Sequence, residues 1–218
     1  MTFRKVQRDV RNDVRNTSRG FTLVELLVVI LIIVLLSTLI TFSPSVLRSE
    51  NISGAANMVM EDLAFAREYS ISSNQQTEVW FLKPTTGTAL HFNALRIYTV
   101  DENGLSSPYG PVHHLPTSVI ADSGSTTGTS LSTLFAGTTY QKPLPTPPPP
   151  IPGYQSNYKA WYVRFNPDGS TTATANLYVT MHDVSLTDPW TTAPTTLPKN
   201  YALVSIDHVT GAVNLYRP

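Results

Sequence analysis

Glu25 is the residue with the most pointed chemistry in this chain. It stands inside FTLVELLVVILIIVLLSTLITF (residues 21–42), where Leu26 to Leu36 are eleven consecutive aliphatic residues. A carboxylate in hydrocarbon costs several kcal/mol unless it is paired or protonated, so an acid at this place is a functional candidate by default. A lone spanning helix has no use for it. A bundle of packed helices does, because a cationic group on a neighbour would find the acid in a low dielectric that strengthens the attraction.

The other chemistry-bearing side chains are scattered. His113-His114 is a pair with no Cys or acidic cluster beside it in sequence and reads as a surface loop. Asp101-Glu102-Asn103-Gly104 offers oxygen ligands without completing a calcium loop and reads as a hairpin turn. Asp168-Gly169 is likewise a turn. There is no phosphate-cradling glycine loop, hydrolase elbow or zinc signature. The chain has no cysteine, so disulfides and thiolate metal sites are excluded. These residues imply no enzyme, no cofactor and no metal.

The elements that carry Glu25 are legible. As a helix, residues 21–42 would extend about 33 Å, close to the ~30 Å hydrocarbon core, and are expected to span a membrane. Residues 1–20 hold six basic residues (Arg4, Lys5, Arg8, Arg11, Arg15, Arg19) against two acidic ones, which places the N-terminus on the cytoplasmic side. The apolar run is too long for a secretory signal peptide. Without its first 20 residues the chain has nine basic and thirteen acidic residues, so the exported part offers no basic surface for nucleic acid.

Ser43-Pro44 marks either a kink or a helix boundary. Residues 43–74 form the next segment. Ile52, Ala56, Val59, Leu63 and Ala66 recur at spacings of three and four and build the apolar face of an amphipathic helix that ends near Ser72–Gln75. Residues 75–218 read as a β-rich head. Strands are expected at Thr77–Leu82, Leu95–Val100 and Ala160–Phe165, with Ala175–Met181 returning after the Asn166-Pro167-Asp168-Gly169 turn. A hairpin of Ala202–Ile206 and Ala212–Tyr216 closes the chain. Residues 121–158 are rich in Ser, Thr, Gly and Pro, with seven prolines among residues 143–152. They read as an exposed, poorly ordered insertion, either a partner-binding arm or a solvated loop. Residues 188–198 read as a further loop.

Gly20-Phe21-Thr22-Leu23-Val24-Glu25, with basic residues before it and an apolar run after it, resembles the type IV prepilin processing motif. The stretch 55–81 also resembles the H-type minor pseudopilins of type II secretion and the related FimT-type minor pilins. It does so through Leu63, Ala66, Arg67, Ile71 and Asn74, with Ser70 where that family usually has Ala. The Phe165–Gly169 turn and the Thr210–Val213 hairpin fit the same head. The resemblance implies an α+β pilin-like fold: a long N-terminal helix, membrane-spanning in its first half, packed on an antiparallel sheet. It implies cleavage between Gly20 and Phe21 by a prepilin peptidase, N-methylation of Phe21, and Glu25 serving assembly with other pilin or pseudopilin subunits and an inner-membrane platform. The 20-residue leader is longer than the commonest pilin leaders. The implied location is the bacterial inner membrane, single-pass, with the head periplasmic or extracellular, and then a filament. Two alternatives stand beside this structural role: a minor pilin whose head is an adhesive or ligand-binding module, and a bitopic membrane protein that does not assemble.

Overall fold

The computed structural model describes residues 21–40, 44–86, 91–123, 132–145, 148–185 and 200–218. The chain divides into two compact units, Met1–Ser43 and Pro44–Pro218.

The first unit contains α1 (Leu23–Ile40). Its leucines, isoleucines and valines from Leu23 to Leu36 are all exposed. Among the described residues no helix is long and apolar enough to cross a membrane. The 18 residues of α1 extend about 27 Å, slightly short of a ~30 Å core. The Ser43 side of the expected break lies outside the described residues.

The second unit opens with α2 (Pro44–Ser73). Proline is its first residue, where the missing N–H would have no partner in any case. The expected apolar face holds: Ile52, Ala56, Val59, Leu63 and Ala66 are fully buried, together with Ala55. The helix ends as the sequence suggests. Asn74 takes a left-handed φ of 50°, and Gln75 N donates to Ser70 O at 3.2 Å, the bond that closes a Schellman cap.

The strands are β1 (Gln76–Pro84), β2 (Ala94–Val100), β3 (Ser106–His114), β4 (Val119–Ala121), β5 (Tyr158–Phe165), β6 (Leu177–Asp183), β7 (Tyr201–Ile206) and β8 (Val213–Tyr216). They form two antiparallel sheets rather than one, ordered β3-β2-β1-β5 and β4-β6-β7-β8. The apolar face of α2 packs in one core with Val79, Phe81, Val163 and Phe165 of the first sheet and Val179, Met181, Ala202 and Val204 of the second. Alanines at 55, 56 and 66 keep the helix slim where both sheets approach it. Each fully buried Val, Leu or Phe contributes about 1.5–3 kcal/mol.

Three expectations are corrected. Ala175–Met181 does not return beside β5. Phe165 makes only an isolated bridge to Thr171, and β6 pairs with β4 and β7 in the other sheet. The 166–169 turn therefore carries the chain between sheets. Second, His113-His114 is not a loop but the end of β3, an edge strand where Pro108 and Pro111 are tolerated because their missing N–H groups need not join a ladder. Third, the 121–158 insertion is not exposed throughout: several of its described residues anchor it to the fold, although many of its other described residues are exposed. Leu134 and Phe135 enter the main core, while Ile151, Tyr154 and Leu144 cover Trp80, Leu82 and Tyr98 on the outer face of the first sheet. That explains why β1 alternates weakly in sequence: both of its faces are buried. The expected loop at 188–198 lies outside the described residues.

Candidate functional site

At the start of α1, Thr22 precedes the first helical residue and Glu25 lies three residues on. Thr22 N and Thr22 Oγ1 each donate to Glu25 Oε2 at 2.9 Å, and Glu25 N donates to Thr22 Oγ1 at 3.2 Å. This reciprocal pattern is a capping box, which satisfies helix-end N–H groups and holds the acid at the positive end of the helix dipole. Sequence reading had singled out Glu25 but missed its local partner; Thr-x-x-Glu ahead of an apolar run was the available signal. Phe21, immediately before the box, is exposed. Gly20 lies outside the described residues. The arrangement brings Glu25 and the Phe21 backbone nitrogen to the same helix end.

The Leu63–Asn74 pattern does its work at the other end of α2. Leu63 and Ala66 are buried in the core. Arg67 Nε donates to Thr210 O at 2.8 Å and to Gly169 O at 3.3 Å, so one guanidinium ties the 166–170 turn to the 207–211 turn. Gly211 sits against this junction with φ +65°, and a Cβ there would lie 2.0 Å from Gly169 O. Ile71 packs against Gly169, where an added Cβ would meet its Cδ1 at 2.9 Å. Ser70 is buried and places its hydroxyl 2.7 Å from Arg67 O and 3.0 Å from Asn166 O. Thr77 Oγ1 donates to Ala66 O at 2.7 Å, anchoring β1 to the helix.

A third cluster went unseen in the sequence. Glu78 on β1 is fully buried. Its Oε1 accepts from Lys142 Nζ at 2.8 Å and Arg164 Nε at 2.9 Å. Its Oε2 accepts from Trp80 Nε1 at 2.7 Å and Ser106 Oγ at 2.8 Å. Burial pushes the Glu78 carboxyl up, but the hydrogen bonds from Lys142, Trp80 and Arg164 outweigh it and hold it below the usual glutamate range. Lys142 belongs to the insertion, so this ion cluster pins the insertion to the sheet. Lys142 also lies 5.3 Å from the Trp80 ring centre and 5.1 Å from that of Tyr162, with Arg164 5.5 Å from Tyr162.

The remaining sequence candidates resolve as turns and pairs. Asp101 Oδ1 accepts from Asn103 N and Leu105 N, which closes the β2–β3 hairpin around Gly104 at φ +79°. Asp168 Oδ1 accepts from Ser170 N and Oγ. His113 Nδ1 stands 2.6 Å from Asp62 Oδ2 on α2, so a carboxylate distant in sequence is its neighbour in space. Among the described residues no three His, Cys, Asp or Glu side chains gather as metal ligands.

A family described as the prokaryotic N-terminal methylation motif matches residues 15–41. The N-terminal segment is thus prepilin-like, a motif that marks a membrane-anchored N-terminus. No curated protein matches the chain. Among solved structures, the type IV minor pilin FimU of Pseudomonas aeruginosa (strain PAO1) is similar at 10% identity over 78% of this chain and 89% of that chain, with a TM-score of 0.43. The minor pseudopilin EpsH of the Vibrio cholerae type 2 secretion system is similar at 10% identity over 77% of this chain and 98% of that chain, with a TM-score of 0.41. A second EpsH structure matches at 12% identity, again with a TM-score of 0.41, over 78% and 98% of the two chains.

Proposed function

We propose that this chain is a structural subunit, a minor pseudopilin or pilin, made as a precursor and incorporated into a type II secretion or type IV pilus-like filament. The observation that carries the reading is the methylation motif over residues 15–41, with Gly20, Phe21 and Glu25 in the order that processing and assembly require. In this reading a prepilin peptidase cuts between Gly20 and Phe21 and the new amine of Phe21 is methylated. Residues 21–42 span the inner membrane with the basic leader cytoplasmic, while residues 75–218 form a periplasmic or extracellular head.

The mechanism is mechanical. An assembly platform withdraws the helix from the membrane, and the subunit contributes apolar packing along residues 21–42. Glu25 accepts the cationic amine of a neighbouring subunit. The capping box supports this role, because it orients the carboxylate at the helix end where such an amine would arrive. Methylation leaves that amine cationic, so pairing survives the modification. The Arg67 junction supports an H-type head, since it uses the residues that carry that resemblance.

Glu25→Ala tests the assembly step. The variant is expected to insert into the membrane and to be cleaved, yet to be missing from sheared filaments. Incorporation at the wild-type level would contradict the pairing role.

A further inference from the structure

On the side of α2 turned toward the edge strand β3 lies a groove of about 330 Å³. Its lining includes Glu61, Asp62, Phe65, Ile97, Tyr109 and His113. Phe65 and Tyr109 are 44% and 38% exposed, although both are large aromatic residues. Their rings stack at 6.0 Å and 25°. Tyr69, one helical turn beyond Phe65, extends the platform with centroid distances of 6.1 Å to Phe65 and 4.6 Å to Tyr109. An apolar floor, an aromatic wall and two carboxylates thus meet at the surface.

The charge balance of this groove is one-sided. Among the described residues no Lys or Arg lines it. Asp62 already faces His113 at 2.6 Å, whereas Glu61 is exposed beside the rings. The head shows what such a combination accepts. At the Glu78 cluster a carboxylate and the rings of Trp80 and Tyr162 surround the cationic heads of Lys142 and Arg164. The α2–β3 groove has the same components, carboxylate and π faces, and its basic side chain, His113, is already taken up by Asp62, which leaves Glu61 facing solvent. Aromatic faces attract cations through the ring quadrupole, and an adjacent acid adds charge and a hydrogen-bond acceptor.

Strand addition is the other way a partner could use this edge, and the sequence of β3 opposes it. Pro108 and Pro111 lack the N–H groups a new ladder needs. A side chain inserted from above requires no ladder.

We propose that the α2–β3 groove is a docking site for an arginine side chain presented by a partner protein. The guanidinium stacks on Phe65 and Tyr109 and donates to the Glu61 carboxylate. Arginine fits better than lysine because its planar, weakly hydrated head stacks on rings and pairs with a carboxylate through two parallel N–H groups. The inference rests on the Pro44–Pro218 unit alone and stands apart from processing and assembly of the N-terminal segment.

The test uses the full chain in detergent micelles and a fluorescein-labelled Gly-Arg-Gly-Arg-Gly peptide, read by anisotropy at low salt. The arginine peptide is expected to bind, and its citrulline counterpart, equal in shape but uncharged, to bind at least about threefold more weakly, the scale of an exposed ion pair. Glu61→Gln should weaken the arginine peptide by about threefold, and Phe65→Ala by about two- to fivefold, the scale of one exposed cation–π contact. Both side chains are exposed, so thermal unfolding serves to confirm that each variant stays folded. Glu50→Gln, an exposed acid near the start of α2, should change nothing. Absence of binding, equal binding of the citrulline peptide, or an equal loss in Glu50→Gln and Glu61→Gln would each overturn the proposal.

Discussion

Replacing Glu78 by Gln should destabilise the head by about 3–5 kcal/mol, the cost of removing one partner from a buried ion cluster. The structure explains why the loss falls at the high end for a near-isosteric change. Glu78 is fully buried, and Lys142 and Arg164 each donate to it from side chains that are 12% and 24% exposed. A neutral amide leaves both cations without a counter-charge. It also turns an NH2 group toward donors that need an acceptor, namely Lys142 Nζ, Trp80 Nε1 and Ser106 Oγ. Unfolding of the full chain in micelles, followed by tryptophan emission, is the assay, with Trp80 reporting from within the cluster. The effect should depend on pH. Glu78 is held below the usual glutamate range when folded, so its contribution is fully present above the unfolded value and disappears as pH falls through the folded one. Stability of the wild type should therefore drop more steeply in acid than that of Glu78→Gln, and the two curves should converge at low pH. A loss below about 1 kcal/mol at neutral pH, or parallel curves in acid, would refute this account of the cluster.

Three further outcomes follow from particular contacts. Lys142→Met should expose the 138–158 segment to limited proteolysis while the main core stays folded, because Lys142 ties that segment to Glu78; an unchanged cleavage pattern would show that Ile151 and Tyr154 suffice. Gly211→Ala should cost more than about 2 kcal/mol, since strained φ alone costs about 1–3 kcal/mol and the new Cβ would stand 2.0 Å from Gly169 O; denaturant unfolding measures it. Arg67→Met should lower stability by about 1.5–3 kcal/mol, the value of hydrogen bonds to a charged group, and raise amide exchange in both the 166–170 and 207–211 turns, since one side chain joins them.

The sequence was most informative where one physical demand dominated. The apolar face of α2 was readable because a helix covering two sheets needs Ile52, Ala56, Val59, Leu63 and Ala66 on one side, and all are buried. The Asn74 cap and the turns around Gly104 and Gly211 were readable because each needs a left-handed residue at a fixed place. What stayed hidden depended on partners distant in sequence. Glu78 drew no notice in the sequence because the residue that covers it, Lys142, lies 64 residues away in a segment whose prolines suggested open solvent. The pairing of β6 was misjudged because a Pro-Asp-Gly turn reads as a hairpin whether it folds the chain back or passes it to a second sheet. His113 looked solitary because Asp62, its partner, belongs to α2. At Glu25 the sequence identifies the acid by its cost in hydrocarbon, and the Thr-x-x-Glu spacing also carries the capping box with Thr22 that the structure shows.

The most direct test of the assembly reading is the intact mass and N-terminal sequence of the protein recovered from the membrane of its own host. The account predicts a chain that begins at Phe21 and is heavier by one methyl group than residues 21–218 alone. A chain that retains Arg4 through Arg19 would contradict it, as would one cut elsewhere in the apolar run.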